Sequence, residues 1–379
     1  MHACVTKELA RIANLGLTTL LSFWKGHCQK EKRKTGIRHY WIAKNADEVK
    51  ESLIHEVNMK ETVRDTTTLD FSTLYTKLPQ APMKAELKEF VNRAFEFAYA
   101  SDAVEDGSFL VIGKRSTSWK KKHSRKSKQK FFKKQTFLML LIFQLDNIYV
   151  QIGDMVLRQT TGIPMGVDDG PNFANIFLFM CEYKWIKKML AGSKAEKQVL
   201  FDFFRYIARF IDDLIGINNA KKLLEYAHEI YPEELILKLE NVSRNESGTL
   251  VWTPEEATFL SMRLKVNNGK IVTSSYDKRD DFGFTFNRFG WPDSNVDFRR
   301  AHDSISTIAT NGLLANDHYS DFVRFLQNAV DCFDNHKMRI KFLVSNLMKF
   351  IERRPCVLSK YGRGRVKIIN DIFKKYEKK

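Results

Sequence analysis

Apolar residues along this chain alternate between a two-residue rhythm and one of about 3.6 residues, and the switches divide it into elements. Positions 66–75 (TTTLDFSTLY) are largely β-branched or aromatic and predict a strand. Asp70 interrupts it. A carboxylate is a poor strand residue, so it marks a sheet edge or a position kept for a reason. Pro79 and Pro82 open a helix with apolar positions at Leu87, Phe90, Val91, Ala94, Phe95 and Ala98. A short apolar helix over 137–145 leads to a hairpin, 147–152 with 155–159, turned at Gly153-Asp154. The run 161–171 (TGIPMGVDDGP) has three glycines and two prolines, the mark of backbone that turns tightly or lets something approach. An apolar helix over 172–186 follows. Two apolar runs, 206–211 and 214–217, then flank Asp212-Asp213 and predict a hairpin with the acids at or beside its turn. Downstream come a helix (220–230), an alternating strand (235–240) and a second hairpin (259–266 with 270–275) turned by Asn267-Asn268-Gly269. The pattern is helical from about 296 onward. Upstream, residues 1–60 read as a helix, a basic patch (25–38), the aromatic segment His39-Tyr40-Trp41-Ile42 and a helix over 47–58.

Composition sharpens this picture in two places. Sixty-two Lys and Arg stand against 45 Asp and Glu, a net charge of +17, which suits a polyanionic partner and says nothing about chemistry. Segment 114–134 concentrates the excess, with eleven basic residues, no acid, and Trp119, Phe131 and Phe132 between them. A solvated loop or a nuclear-import signal has this look. Bases interleaved with aromatics also fit a nucleic-acid strand, phosphates neutralised and bases stacked, and a loop with phosphate contacts is the favoured reading. The 379 residues can hold two or three domains. Five scattered cysteines without a CxxC pair indicate neither a zinc ribbon nor a disulfide framework and suit a reducing compartment. The most apolar window, 137–143, is too short to cross a bilayer, and no signal-peptide pattern follows Met1. An intracellular, nuclear protein is expected.

Two adjacent carboxylates in an apolar setting repel one another and are costly to desolvate. A divalent metal removes both problems, although an isolated Asp-Asp is more often a solvated turn. Other close acids serve as controls: Asp168-Asp169 in the glycine loop, Asp280-Asp281 in a charged stretch, and Asp102 to Asp106 in a polar one. None has apolar strand residues on both sides. The hairpin pair is the distinctive one.

Taken in order, an Asp on a strand with an aromatic five residues on, a Gly/Pro loop entering a helix, and an aromatic-x-Asp-Asp hairpin resemble the palm of a reverse transcriptase. The strings DFSTLYTKLP, RQTTGIPMG, ANIFLFMCEYKWI, RFIDDLIG, FLSMRLKVNNGK and SSYDKRDDFGF look like the reverse transcriptases of Penelope-like retroelements, relatives of telomerase. The likeness runs from about Tyr40 to Asn295 and continues more weakly into a thumb-like helical remainder.

The resemblance implies an α+β right-hand polymerase core. Residues 1–64 would be a partial fingers segment, 65–290 a palm on an antiparallel sheet, and 291–379 a helical thumb. It implies RNA-directed DNA synthesis on an RNA template, from a DNA primer and dNTPs, with two Mg²⁺ ions (Mn²⁺ as substitute). Asp70 and Asp212 would bridge the ions, Asp213 would support the site, and Phe71 would lend its backbone carbonyl. Tyr75 would be the steric gate against a ribose 2′-hydroxyl. Pro164, Met165 and Gly166 would let the nascent base pair lie against backbone. Phe259-Leu260 resembles the primer grip. Lys238, where motif D falls, would protonate the leaving pyrophosphate. Three departures accompany the likeness. The segment before motif A is short and lacks the fingers motifs. Asp168-Asp169 puts two charges where the family has none, an arrangement expected to weaken nucleotide binding. No GIY-YIG endonuclease pattern follows the thumb. A catalytically inactive, nucleic-acid-binding remnant of a retroelement is the rival reading.

Overall fold

Three threonines, a leucine and a phenylalanine make Thr66–Phe71 a strand whose side chains are buried at every position except Asp70. Burial on both faces is what an interior strand requires, and the sheet order bears this out: Ile207–Phe210, Asp213–Ile217, Thr66–Phe71, Leu237–Leu239. The first two strands pair antiparallel as a hairpin, and the last two are antiparallel as well. The structure is a computed structural model and describes residues 6–123, 128–278, 282, 298–335 and 339–376. It divides into two compact units, one made of the chain up to Lys44 with Thr67–Glu240, the other of Asn45–Thr66 with the chain from Asn241.

In the first unit, helices Lys7–Thr35, Gln80–Tyr99 and Gly170–Ala191 build the core around Trp24. Its indole stacks on Phe90, meets Phe97, Phe179 and Tyr183 edge-on, and donates from Nε1 to the Phe90 carbonyl at 3.0 Å. The basic patch predicted at 25–38 proves to be the end of the first helix, with Lys32, Arg33 and Lys34 in its last turn beside the negative helix pole.

Several local expectations change. The strand expected over 66–75 stops at Phe71, and Tyr75 sits on a helical turn, Leu74–Lys77. The basic segment is not a loop throughout: Thr117–Lys120 and Lys130–Phe132 pair on either side of Phe109–Ile112. Trp119 lies edge-on to Phe23, Phe95 and Tyr99 and is half-buried against the core. Lys120, Lys121 and Lys122 remain exposed. The helix expected over 220–230 begins only at Lys222, after Ala220 and Lys221 with positive φ, and is divided at Tyr226 into two short turns. Tyr149–Ile152 pairs with Met155–Arg158 as predicted, and every position of that hairpin is exposed.

The second unit contains a helix from Ala46 to Lys60 with a π turn, Lys50–Ile54, in its middle. It also holds a three-stranded antiparallel sheet and helices from Phe298 onward, whose apolar stripes form a separate core including Phe322, Phe333, Leu343 and Ile368. The strand expected at 259–266 is broken after Phe259 by a turn in which Leu260 has φ 55°, so Phe259-Leu260 is a strand end and a turn. Asp280-Asp281 and the expected palm–thumb boundary lie outside the described residues. Among the described residues no helix is long and apolar enough to cross a membrane.

Candidate active site

Asp70 is the penultimate residue of the interior strand, and Asp213 opens the strand beside it. The Phe71 amide donates to the Asp212 carbonyl at 3.3 Å, which ties the end of one strand to the turn of the hairpin. Residues far apart in sequence thus meet at one end of the sheet, all three acids half-buried. The Phe71 ring points inward, edge-on to Tyr231, so only its backbone is available to the site.

The turn itself is unusual. Phe210 pairs with Asp213, leaving Ile211 and Asp212 as a two-residue loop. Ile211 has φ 56°, a conformation that suits glycine and disfavours a β-branched side chain. The Ile211 carbonyl accepts a hydrogen bond from Arg209 Nη1 at 2.9 Å.

Tyr75 is half-buried on its helical turn, and burial, then the Asp212 charge, push its phenol above the ordinary value. The glycine loop is bonded to the helical turn that carries Tyr75. Ile163 N donates to the Tyr75 carbonyl and Gly162 N to the Leu78 carbonyl, both at 2.8 Å. Gly162 has φ 77°, and a Cβ there would stand 2.4 Å from the Tyr75 carbonyl oxygen, so no other residue fits. Gln80 Nε2 also holds the loop, donating to the Gly162 carbonyl at 2.9 Å. Pro164 is half-buried, while Met165 and Gly166 form the exposed tip.

Lys238 pairs in register with Asp70 across the antiparallel strands, so the two share a face of the sheet. Asp168-Asp169 behaves differently from expectation. Asp169 is buried and accepts a hydrogen bond from Gln144 Nε2, so only Asp168 is exposed on the loop. Burial is the main cause that pushes the Asp169 carboxyl up to about 7.

Sequence reading missed the buried polar cluster behind the turn. Arg209 and Glu182 have no exposed side-chain surface and pair at 2.5 Å, and Tyr231 donates to Glu182 Oε1 at 2.9 Å. The available signal was a charge inside each of two apolar runs, one on the hairpin strand and one on the Gly170–Ala191 helix.

The donors at the sheet end are hard oxygens: carboxylates on neighbouring strands and a backbone carbonyl. Among the described residues no three His, Cys, Asp or Glu side chains cluster as a ready cage for an ion. Mg²⁺ at phosphoryl-transfer sites uses one or two carboxylates and completes its shell with substrate phosphates and water, so this donor set fits such an ion.

No family model matches the chain, and no curated protein matches it in sequence. Among solved structures, telomerase from Candida albicans, in complex with a TWJ fragment of telomeric RNA, matches with a TM-score of 0.55 at 12% identity, over 96% of this chain and 56% of that one. Apo telomerase from Candida tropicalis gives 0.45 at 12% identity, over 97% and 53%, so the fold assignment rests on the first. The chain spans about half the length of these telomerases. Its mixed helix and antiparallel-sheet architecture is a telomerase reverse transcriptase-like polymerase fold.

Proposed function

We propose that the chain is the catalytic core of an RNA-directed DNA polymerase, of the kind its motifs share with Penelope-like retroelements, extending a DNA primer with dNTPs on an RNA template. One observation carries the reading: the strand end bearing Asp70 is tied through the Phe71 amide to the Asp212 carbonyl, with Asp213 opening the neighbouring strand. In this reading Asp70, Asp212 and the Phe71 carbonyl hold two Mg²⁺ ions, or Mn²⁺ in their place, and Asp213 supports them. The bound ions supply charge neutralisation at the attacking and leaving oxygens of an in-line displacement at phosphorus.

The remaining tasks fall to the protein. Tyr75, beside Asp212, excludes a ribose 2′-hydroxyl and selects deoxynucleotides. The Pro164-Met165-Gly166 tip presents backbone to the nascent base pair. Lys238, in register with Asp70, gives a proton to the leaving pyrophosphate. The exposed Lys120-Lys121-Lys122 contacts phosphates. Residues 1–64 are assigned the partial fingers, 65–290 the palm with Phe259-Leu260 as primer grip, and 291–379 the helical thumb, and the site of action is nuclear.

The test is primer extension on a primed RNA template with dNTPs and Mg²⁺, run beside Asp212→Ala. Extension by the parent chain and none by the variant is the expected result. Equal extension by both removes Asp212 from the mechanism. Binding of primed template without extension by either protein replaces this reading with the inactive, nucleic-acid-binding one.

A further inference from the structure

Arg209 uses every N–H of its guanidinium inside the protein. Nε donates to Glu182 Oε1 at 2.5 Å, and Nη2 to Glu182 Oε2 at 3.3 Å and the Asn175 carbonyl at 3.2 Å. Nη1 donates to Asn175 Oδ1 at 2.8 Å and to the Ile211 carbonyl at 2.9 Å. The Tyr231 hydroxyl donates to the same Glu182 Oε1 at 2.9 Å. The arginine backbone is fixed as well: its N–H donates to the Trp41 carbonyl, and its carbonyl accepts from Ala43 N, both at 2.7 Å.

A fully buried ion pair is a poor device for stability alone, since well-packed apolar side chains of similar volume do as well or better. Of the five guanidinium bonds, four run to Glu182 and Asn175 on the Gly170–Ala191 helix, and the fifth reaches the turn. That fifth bond holds the carbonyl of a β-branched residue at φ 56°. Such a conformation persists where its surroundings over-determine it. The peptide plane so held begins at the Ile211 carbonyl and ends at the Asp212 nitrogen, so it sets the direction in which the Asp212 side chain leaves the backbone.

We infer that Arg209, braced by Glu182 and Tyr231, is a positioning residue that keeps Ile211 in the left-handed region and thereby aims the Asp212 carboxylate. The consequence for activity rests on the polymerase reading; the conformational claim does not. A triple variant, Glu182→Leu, Arg209→Met and Tyr231→Phe, replaces the cluster by apolar groups and leaves no buried charge behind. The expected crystal structure of the variant has Ile211 out of the positive-φ region and Asp212 displaced. With it should come a drop in kcat for primer extension of at least ten-fold and little change in KM for dNTP. A folded variant with Ile211 still near φ 56° overturns the inference, and so does a displaced Asp212 with unchanged kcat.

Should the triple variant not fold, Arg209→Lys keeps the charge and loses the fork. Hydrogen exchange is then expected to quicken in the peptide spanning 207–217 and not in the interior strand. Unchanged exchange at the turn overturns the inference. If the parent chain extends no primer, the polymerase reading alone fails, because the crystal and exchange readouts still decide the conformational claim.

Discussion

Among the described residues four hairpins close with two-residue loops, and two of them reach the turn by opposite means. Between Asn267 and Lys270 the loop is Asn268-Gly269, with φ values of 49° and 74°, the pair of residues that adopts this geometry most readily. Between Phe210 and Asp213 the loop is Ile211-Asp212, and the positive φ falls on a β-branched residue at a cost of about 1–3 kcal/mol. The first turn takes its positive φ values from residues that favour them, and Val63 N donates to the Gly269 carbonyl at 2.8 Å. The second draws on a buried arginine of its own first strand, braced by a glutamate and a tyrosine from two other places in the chain. In the first turn the residue types themselves favour the conformation, whereas in the second a buried side-chain cluster holds a residue that disfavours it.

The sharpest way to break this contrast is Glu182→Ala. It leaves the Arg209 charge buried without its carboxylate, and a loss of about 3–5 kcal/mol is expected in urea denaturation. A loss below about 1 kcal/mol would mean that water reaches the guanidinium, and the turn would then not depend on a sealed cluster.

The next effect separates the two acid pairs and depends on pH. Asp169 has its folded pKa raised to about 7 from an ordinary 3.8. Across that window the folded state keeps a proton that the unfolded chain releases, so stability falls as pH rises. Asp169→Asn, which mimics the protonated form, should melt like the parent near pH 4 and exceed it by about 1–4 kcal/mol at pH 8. Parallel melting profiles across this range would place Asp169 in contact with water and return a second charge to the loop.

A smaller cost is expected at the plain turn. In Gly269→Ala, φ 74° strains the new side chain, whose Cβ would stand 2.7 Å from Thr62 Cγ2. The expected loss is about 1–2 kcal/mol by thermal or urea unfolding. The smallest change is expected in Ile211→Gly, which relieves the strained φ but makes the unfolded chain freer, leaving stability within about 1 kcal/mol of the parent. A loss above about 2 kcal/mol would show that the isoleucine side chain, and not the backbone held behind it, secures the turn.

Much of the site was legible because its signals are local. The Asp212-Asp213 hairpin, the glycine loop and the interior strand bearing Asp70 each announce themselves through a change of period or a dense run of glycine. Trp119 shows the limit. Its basic, aromatic-rich neighbourhood reads as a strand-binding loop, yet the ring is taken up by Phe23, Phe95 and Tyr99, which are up to about a hundred residues away. Asp169 shows the same limit in reverse, since nothing beside it in sequence says that Gln144 turns it inward.

What the sequence determined by itself, then, is the set of elements and the acids they carry, because periodicity, turn residues and strand propensity act over a few positions. The tertiary structure alone decided that the strand end at Asp70 is tied to the Asp212 turn, that the glycine loop is bonded to the turn carrying Tyr75, and that Glu182 and Tyr231 brace Arg209. Those facts depend on sheet order and on which buried charges find partners, and both are settled only when segments distant in the chain pack together.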